Sequence, residues 1–151
     1  MKTDKDIFDK IMSSQVFKIF EPYYKKNKEI LLYLFFGGLA FIISVTSYGI
    51  CNVYLNINEL VANGVSWILA VLFAFVTNRT WVFKVKISGV NNLIKQMISF
   101  FGGRVATLIV EEIILLVFVT WLQYNSMAIK IIAQIIVIIL NYIISKFWVF
   151  K

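Results

Sequence analysis

Four stretches of this chain, at about residues 30–51, 60–82, 93–122 and 127–150, are almost continuously apolar for twenty or more positions. A helix needs about 20 apolar residues to cross roughly 30 Å of hydrocarbon, and only helices and closed barrels satisfy their backbone there. The chain is therefore expected to be all-α, a polytopic membrane protein with four transmembrane helices. Composition agrees: 60% of its 151 residues are hydrophobic, against about half in a soluble domain. The third stretch is long for one straight span, so it is expected to tilt or to begin in the interface.

The charge distribution gives an orientation. The formal net charge is +7, but the lysines and arginines form no continuous patch of the kind nucleic acid requires. They cluster in the first 28 residues, in the middle connector (Lys84, Lys86, Lys95) and at the end (Lys146, Lys151). The connectors at 52–59 and 123–128 carry none. Both termini and the middle connector are thus expected on the cytoplasmic side of the cell membrane. Trp81, Trp121 and Trp148 fall near span ends, where indole rings anchor; Trp67 breaks that pattern.

Residues 1–28 form a first unit and 29–151 a second. Ile7, Phe8, Ile11, Met12, Val16, Ile19 and Phe20 recur at helical spacing among lysines and aspartates, which predicts an amphipathic helix on the cytoplasmic leaflet. Pro22 separates it from the membrane domain. The segment is too polar for a cleavable signal peptide, so the first span is expected to stay in place.

An internal repeat organises the remainder. Phe35-Phe36-Gly37-Gly38 returns as Phe100-Phe101-Gly102-Gly103, and Trp81-Val82-Phe83-Lys84 as Trp148-Val149-Phe150-Lys151. The chain reads as two parallel-repeat helical hairpins whose faces enclose a cleft. The paired glycines permit close helix approach or a bend.

Polar side chains inside the bilayer cost about 2.5–3.5 kcal/mol when charged and usually face protein or water. In the third span Arg104, Thr107 and Glu111 share a face, which suggests an anion-binding Arg104 partly held by Glu111. In the fourth, Lys130, Gln134, Asn141 and Ser145 fall within about 60° of arc. In the second, Asn63, Ala70, Ala74 and Asn78 repeat that geometry, and Arg79 closes the span as Lys146 closes the fourth. The first span offers Gly37, Ala40, Ser44, Ser47 and Tyr48, and is the least informative. Inward Arg104, Lys130 and Lys146 suit an anion, and amides suit a sugar's hydroxyls. The candidate ligand is a lipid bearing phosphate and sugar, its tail left in the bilayer. An inside-negative potential would favour outward movement of its charge by about 2.3 kcal/mol per 100 mV.

Catalysis finds no support. The chain has one cysteine and no histidine, so a His base and a Cys/His metal cluster are both excluded. Glu111 and Glu112 are neighbours that point about 100° apart on a helix, a poor acid–base pair. No nucleotide-binding motif is present, and no cofactor is expected.

Three segments carry a family resemblance: Tyr33-Leu34-Phe35-Phe36-Gly37-Gly38, residues 75–83 with Asn78-Arg79-Thr80-Trp81-Val82-Phe83, and residues 141–150 with Ser145-Lys146-Phe147-Trp148-Val149-Phe150. Over about residues 30–151 the chain resembles the GtrA-like family, and within it the subgroup associated with teichoic-acid glycosylation. The resemblance implies four spans and a flippase that carries a polyprenyl-phosphate-linked sugar from the inner to the outer leaflet, for use by a separate membrane glycosyltransferase. It also implies functional sensitivity at Ala74, Asn78, Val82, Phe83, Phe100, Arg104, Lys130, Asn141 and Lys146. The substrate-binding set expected here is Asn78, Arg79, Arg104, Glu111, Lys130, Gln134, Asn141 and Lys146, supported by Ala74, Val82, Phe83 and Phe100. The alternative is a non-transporting scaffold for the glycosyltransferase. Four helices make a small enclosure for a headgroup, which leaves room for a homo-oligomer.

Overall fold

The computed structural model describes residues 7–13, 19–86 and 89–151, and all regular structure among them is helical. A short helix, α1 (Ile7–Met12), precedes four long ones: α2 (Glu21–Gly49), α3 (Glu59–Thr77), α4 (Val90–Leu115) and α5 (Ser126–Ile144). The stretches Glu21–Tyr54, Glu59–Val82 and Ala128–Val149 are long and apolar enough to cross a membrane. α4 is a further apolar helix whose hydropathy is broken by Lys95, Arg104, Glu111 and Glu112. Exposed leucines and isoleucines such as Leu108, Ile109, Ile131 and Ile135 cover the bundle's outside, as a protein solvated by acyl chains requires.

The N-terminal region departs from a single amphipathic helix. α1 ends at Met12, and Val16 of the expected apolar face lies outside the described residues. Phe8 packs edge-on against Phe35 and Phe36, and Asp9 pairs with Lys28 at 2.6 Å. Pro22 stands after the end of α1, at the start of the first long helix. It occupies the first turn of α2, where its missing N–H costs nothing. α2 therefore begins well before residue 30, with non-helical angles at Asn27 (φ −116°, ψ 19°).

α2 packs chiefly on α3 and α4 on α5, so each hairpin closes on itself. Between hairpins the contact is made by large side chains. Phe75 meets Phe100 and Phe150, Phe83 stacks on Phe150 at 5.3 Å, and Trp67 meets Phe101. Trp67, which fits no interfacial belt, is thus an interhelical packing residue. The core gathers around Phe36, Phe75, Val82, Phe100, Val149 and Phe150, at the end of the bundle that holds both Trp-Val-Phe-Lys repeats.

Each long helix finishes alike. The terminal turns Ile50–Tyr54, Asn78–Val82, Leu116–Trp121 and Ser145–Val149 widen to π-helical geometry. The carbonyls of Ile50, Asn78, Val117 and Ser145 accept from the N–H five residues on, which satisfies carbonyls a helix end would orphan. Asn56, Lys84 and Gln123 then turn the chain with φ of 51°, 48° and 54°.

Candidate lipid-headgroup site

A cavity of about 340 Å³ lies among the four long helices, lined by Tyr33, Gly37 and Gly38 of α2, Ala74 and Asn78 at the end of α3, Arg104 of α4, and Gln134 and Asn141 of α5. Val137 lines it too, and Leu34, Phe41 and Ile138 form its outer rim. All three are exposed on the apolar flank of the bundle, and α2 and α5 make little backbone contact. The cavity therefore opens sideways between α2 and α5.

Arg104 is the cation of this cavity. Its guanidinium carbon lies 3.4 Å from the centre of the Phe100 ring, and Phe100 is wholly buried. The aromatic face stabilises the cation and holds its plane. The Tyr33 hydroxyl lies against the same guanidinium. One terminal nitrogen, Nη1, is buried and donates to no protein atom. A buried donor left open is costly, so this nitrogen is suited to an acceptor the chain does not itself supply.

The amides are arranged around it. Asn78 Nδ2 donates to the Ala74 carbonyl at 2.7 Å, while its Oδ1 is buried and accepts nothing. Asn141 Oδ1 accepts from the Thr107 hydroxyl at 3.1 Å, which ties α5 to α4. Both of these amides are oriented by the scaffold and keep capacity for a ligand. Gln134 stands on the same face of α5 as Asn141, and both line the cavity. Gly37 and Gly38 have nothing within 4 Å of an added Cβ, so their contribution is open volume. Close approach is the role of Gly103 alone, where a Cβ would meet Ile144 at 2.9 Å.

Four of the eight expected binding residues thus line one cavity: Asn78, Arg104, Gln134 and Asn141. The other four stand elsewhere. Glu111 does not hold Arg104; it pairs with Lys130 of α5 at 2.5 Å. Seven residues of α4 place Glu111 about 10 Å along the axis from Arg104, and Lys130, on the α5 helix packed against α4, reaches it instead. Lys130 lines a separate recess of about 480 Å³ with Glu112 and Ser126. Arg79 donates through Nε to Gln96 at 3.0 Å. Lys146 pairs with Glu29 at 2.9 Å and contacts the Tyr142 hydroxyl at 3.2 Å. The expected convergence of Arg104, Lys130 and Lys146 on one cleft is therefore not what the fold produces. Asn63, of the stripe expected on α3, is exposed and does not line the cavity, and Ser145 is buried.

Of the supporting residues only Ala74 lines the cavity, and the others pack behind it. Ala74 accepts the Asn78 amide; Phe100 backs Arg104. Val82 packs with Leu32, Tyr33 and Phe36, and Phe83 touches Tyr142 and Phe150. Sequence reasoning missed Glu29, Tyr33 and Tyr142 as polar participants. Their signal was the four-residue spacing of Glu29 with Tyr33 and of Tyr142 with Lys146, which puts each pair on one helix face.

Comparison with known proteins places this architecture. The chain is 34% identical over 131 residues to the cell wall teichoic acid glycosylation protein GtcA of Listeria innocua, covering 86% of this chain and 90% of that protein. It is 32% identical, with the same coverage, to the protein of that name from Listeria monocytogenes serovar 1/2a. A Bacillus subtilis membrane protein, YwcD, is 31% identical over 120 residues, covering 80% of this chain and 94% of YwcD. No solved structure matches it. The family model for the GtrA/DPMS transmembrane domain matches residues 32–150, from the helix turn that carries Tyr33 through both hairpins to the second Trp-Val-Phe, and the chain belongs to that family.

Proposed function

We propose that this chain serves glycosylation of a cell-wall polymer by moving a polyprenyl-phosphate-linked sugar from the inner to the outer leaflet of the cytoplasmic membrane, with both termini cytoplasmic. The observation that carries the reading is the open, buried Arg104 Nη1 in a cavity that faces the acyl chains between α2 and α5. A phosphate oxygen accepts from such a nitrogen with the strength of a charge-assisted bond. The amides of Asn78, Gln134 and Asn141 offer donors and acceptors for sugar hydroxyls. The lateral opening lets the polyprenyl tail stay in hydrocarbon while the headgroup crosses. Lys130, already countered by Glu111, stands ready as a second cation towards the far end of α5. The GtcA relatives, named for teichoic acid glycosylation, suggest the polymer, and a separate membrane glycosyltransferase consumes the sugar.

The test is reconstitution of the purified chain into liposomes that carry fluorescent polyprenyl-phosphate sugar, with an impermeant quencher outside. The expected result is loss of the protected inner-leaflet fraction in protein-containing vesicles and its persistence in empty ones. Protection that persists until a glycosyltransferase is co-reconstituted, together with a stoichiometric cross-linked complex, would replace this reading with the scaffold.

A further inference from the structure

At one end of the opening between α2 and α5, side chains of the two helices meet. Lys146 Nζ is 2.9 Å from Glu29 Oε1. The Tyr142 hydroxyl donates to the same carboxylate oxygen at 2.5 Å and stands 3.2 Å from Lys146 Nζ. The Tyr142 ring packs edge-on against Tyr33, centroids 5.3 Å apart, and the Tyr33 hydroxyl lies on Arg104. A continuous chain of contacts therefore runs from an ion pair at the rim to the cation in the cavity.

We propose that Glu29 is a resident counter-anion that latches α2 to α5, and that a phosphate headgroup displaces it from Lys146 to admit itself to the Arg104 cavity. The pair suits exchange rather than permanent structure. Each side chain is 37% exposed, and half-exposed ion pairs are weak. A phosphate satisfies Lys146 at least as well as a carboxylate does. Once Glu29 leaves, Tyr142 loses its acceptor and keeps only the contact from Lys146, itself drawn to the phosphate, so the ring that backs Tyr33 is held less firmly. Tyr33 is then free to swing from the guanidinium, which exposes Arg104 to the arriving anion. Lys146 thus makes first contact, Arg104 is the internal station, and Glu29 is a positioning residue that touches neither in the loaded state. The consequence for transport rests on the translocation reading; the latch itself does not.

Spin labels at Lys26→Cys and Lys151→Cys, in a Cys51→Ser background, report the separation of the latch ends by pulsed electron resonance in nanodiscs. The full chain is used, with polyprenyl monophosphate in the lipid or inorganic phosphate in the buffer. The unliganded chain is expected to give one short distance. Polyprenyl monophosphate lengthens or broadens it, and Glu29→Gln does so without any phosphate. Glu29→Gln also lowers the polyprenyl monophosphate needed for half-maximal response by about fivefold, the weight of a competing half-exposed ion pair. The charge exchange Glu29→Lys with Lys146→Glu restores the short distance, which separates a latch from a folding defect. A response to inorganic phosphate as well widens the displacing group to any phosphate; a response to polyprenyl monophosphate alone confines it to the lipid. Either supports the latch. Coincident distances for wild type and Glu29→Gln, or no response to either phosphate, overturn it. Distances that respond while labelled sugar lipid stays in its leaflet keep the latch and remove the transport reading.

Discussion

Asn78 does two things with one carboxamide. Its nitrogen covers the Ala74 carbonyl, and its oxygen waits in the cavity without a donor. Asn78→Asp keeps the shape but adds a carboxylate to the cavity in which Arg104 is proposed to take a phosphate, whereas Asn78→Ala removes a contact and adds no repulsion. Binding of labelled polyprenyl phosphate is expected to fall further in Asn78→Asp than in Asn78→Ala; the reverse order would mean the amide serves packing alone. Gly103 is constrained differently. A Cβ there meets Ile144 at 2.9 Å, so Gly103→Val is expected to destabilise the chain by about 1–3 kcal/mol, read as a lower unfolding temperature in detergent and partly relieved by Ile144→Ala. At this scale the sequence was informative where a polar group is expensive. Arg104, Asn78, Gln134 and Asn141 stand out because apolar spans rarely carry such groups. The partners were not legible. Tyr142 and Glu29 are 113 positions apart, and the choice of Glu111 between Arg104 and Lys130 depends on how α4 and α5 are rotated against each other, which periodicity on one helix does not set.

The long helices are punctuated by local chemistry. Asn58 Oδ1 accepts from the Leu60 N–H at 2.9 Å to start α3, and Asn125 Oδ1 accepts from Ala128 at 3.0 Å to start α5. Loss of such a cap costs about 1 kcal/mol. Gln123, at φ 54°, bears the penalty a side chain carries in left-handed geometry. Asn125→Ala is expected to lower stability by about 1 kcal/mol and Gln123→Gly to raise it by about 0.5–1 kcal/mol, both measured by thermal unfolding followed by circular dichroism. The repeated Trp-Val-Phe-Lys was legible as a repeat. Its meaning was not, because a π-helical turn closed by a main-chain bond five residues long leaves no residue-type signature. Along the N-terminal segment the apolar spacing runs further than α1 does. Apolar spacing continues through Phe20, but Phe8 and Asp9 are satisfied by Phe35, Phe36 and Lys28 of α2, and α1 ends at Met12.

Across the whole molecule, four long helices and their pairing into two hairpins followed from hydropathy and the internal repeat. That the hairpins meet through aromatic side chains at one end, leaving a sideways opening between α2 and α5, did not, since it depends on side-chain volumes in three dimensions. The orientation drawn from the lysines has its own test. Cys51 is the sole cysteine, in the last turn of the first span and partly exposed. An impermeant maleimide is expected to label it in intact cells that produce the chain; labelling only after permeabilisation would invert the topology. Arg104 is expected to receive the phosphate of a lipid-linked sugar as it crosses. The most direct measurement compares translocation by wild type, Arg104→Lys and Arg104→Ala in one liposome preparation. The expected order is wild type, then Lys, then Ala, with Arg104→Ala slower by at least about tenfold, the weight of one lost charge-assisted contact. Equal rates for wild type and Arg104→Ala, with both folded, would exclude this role for Arg104.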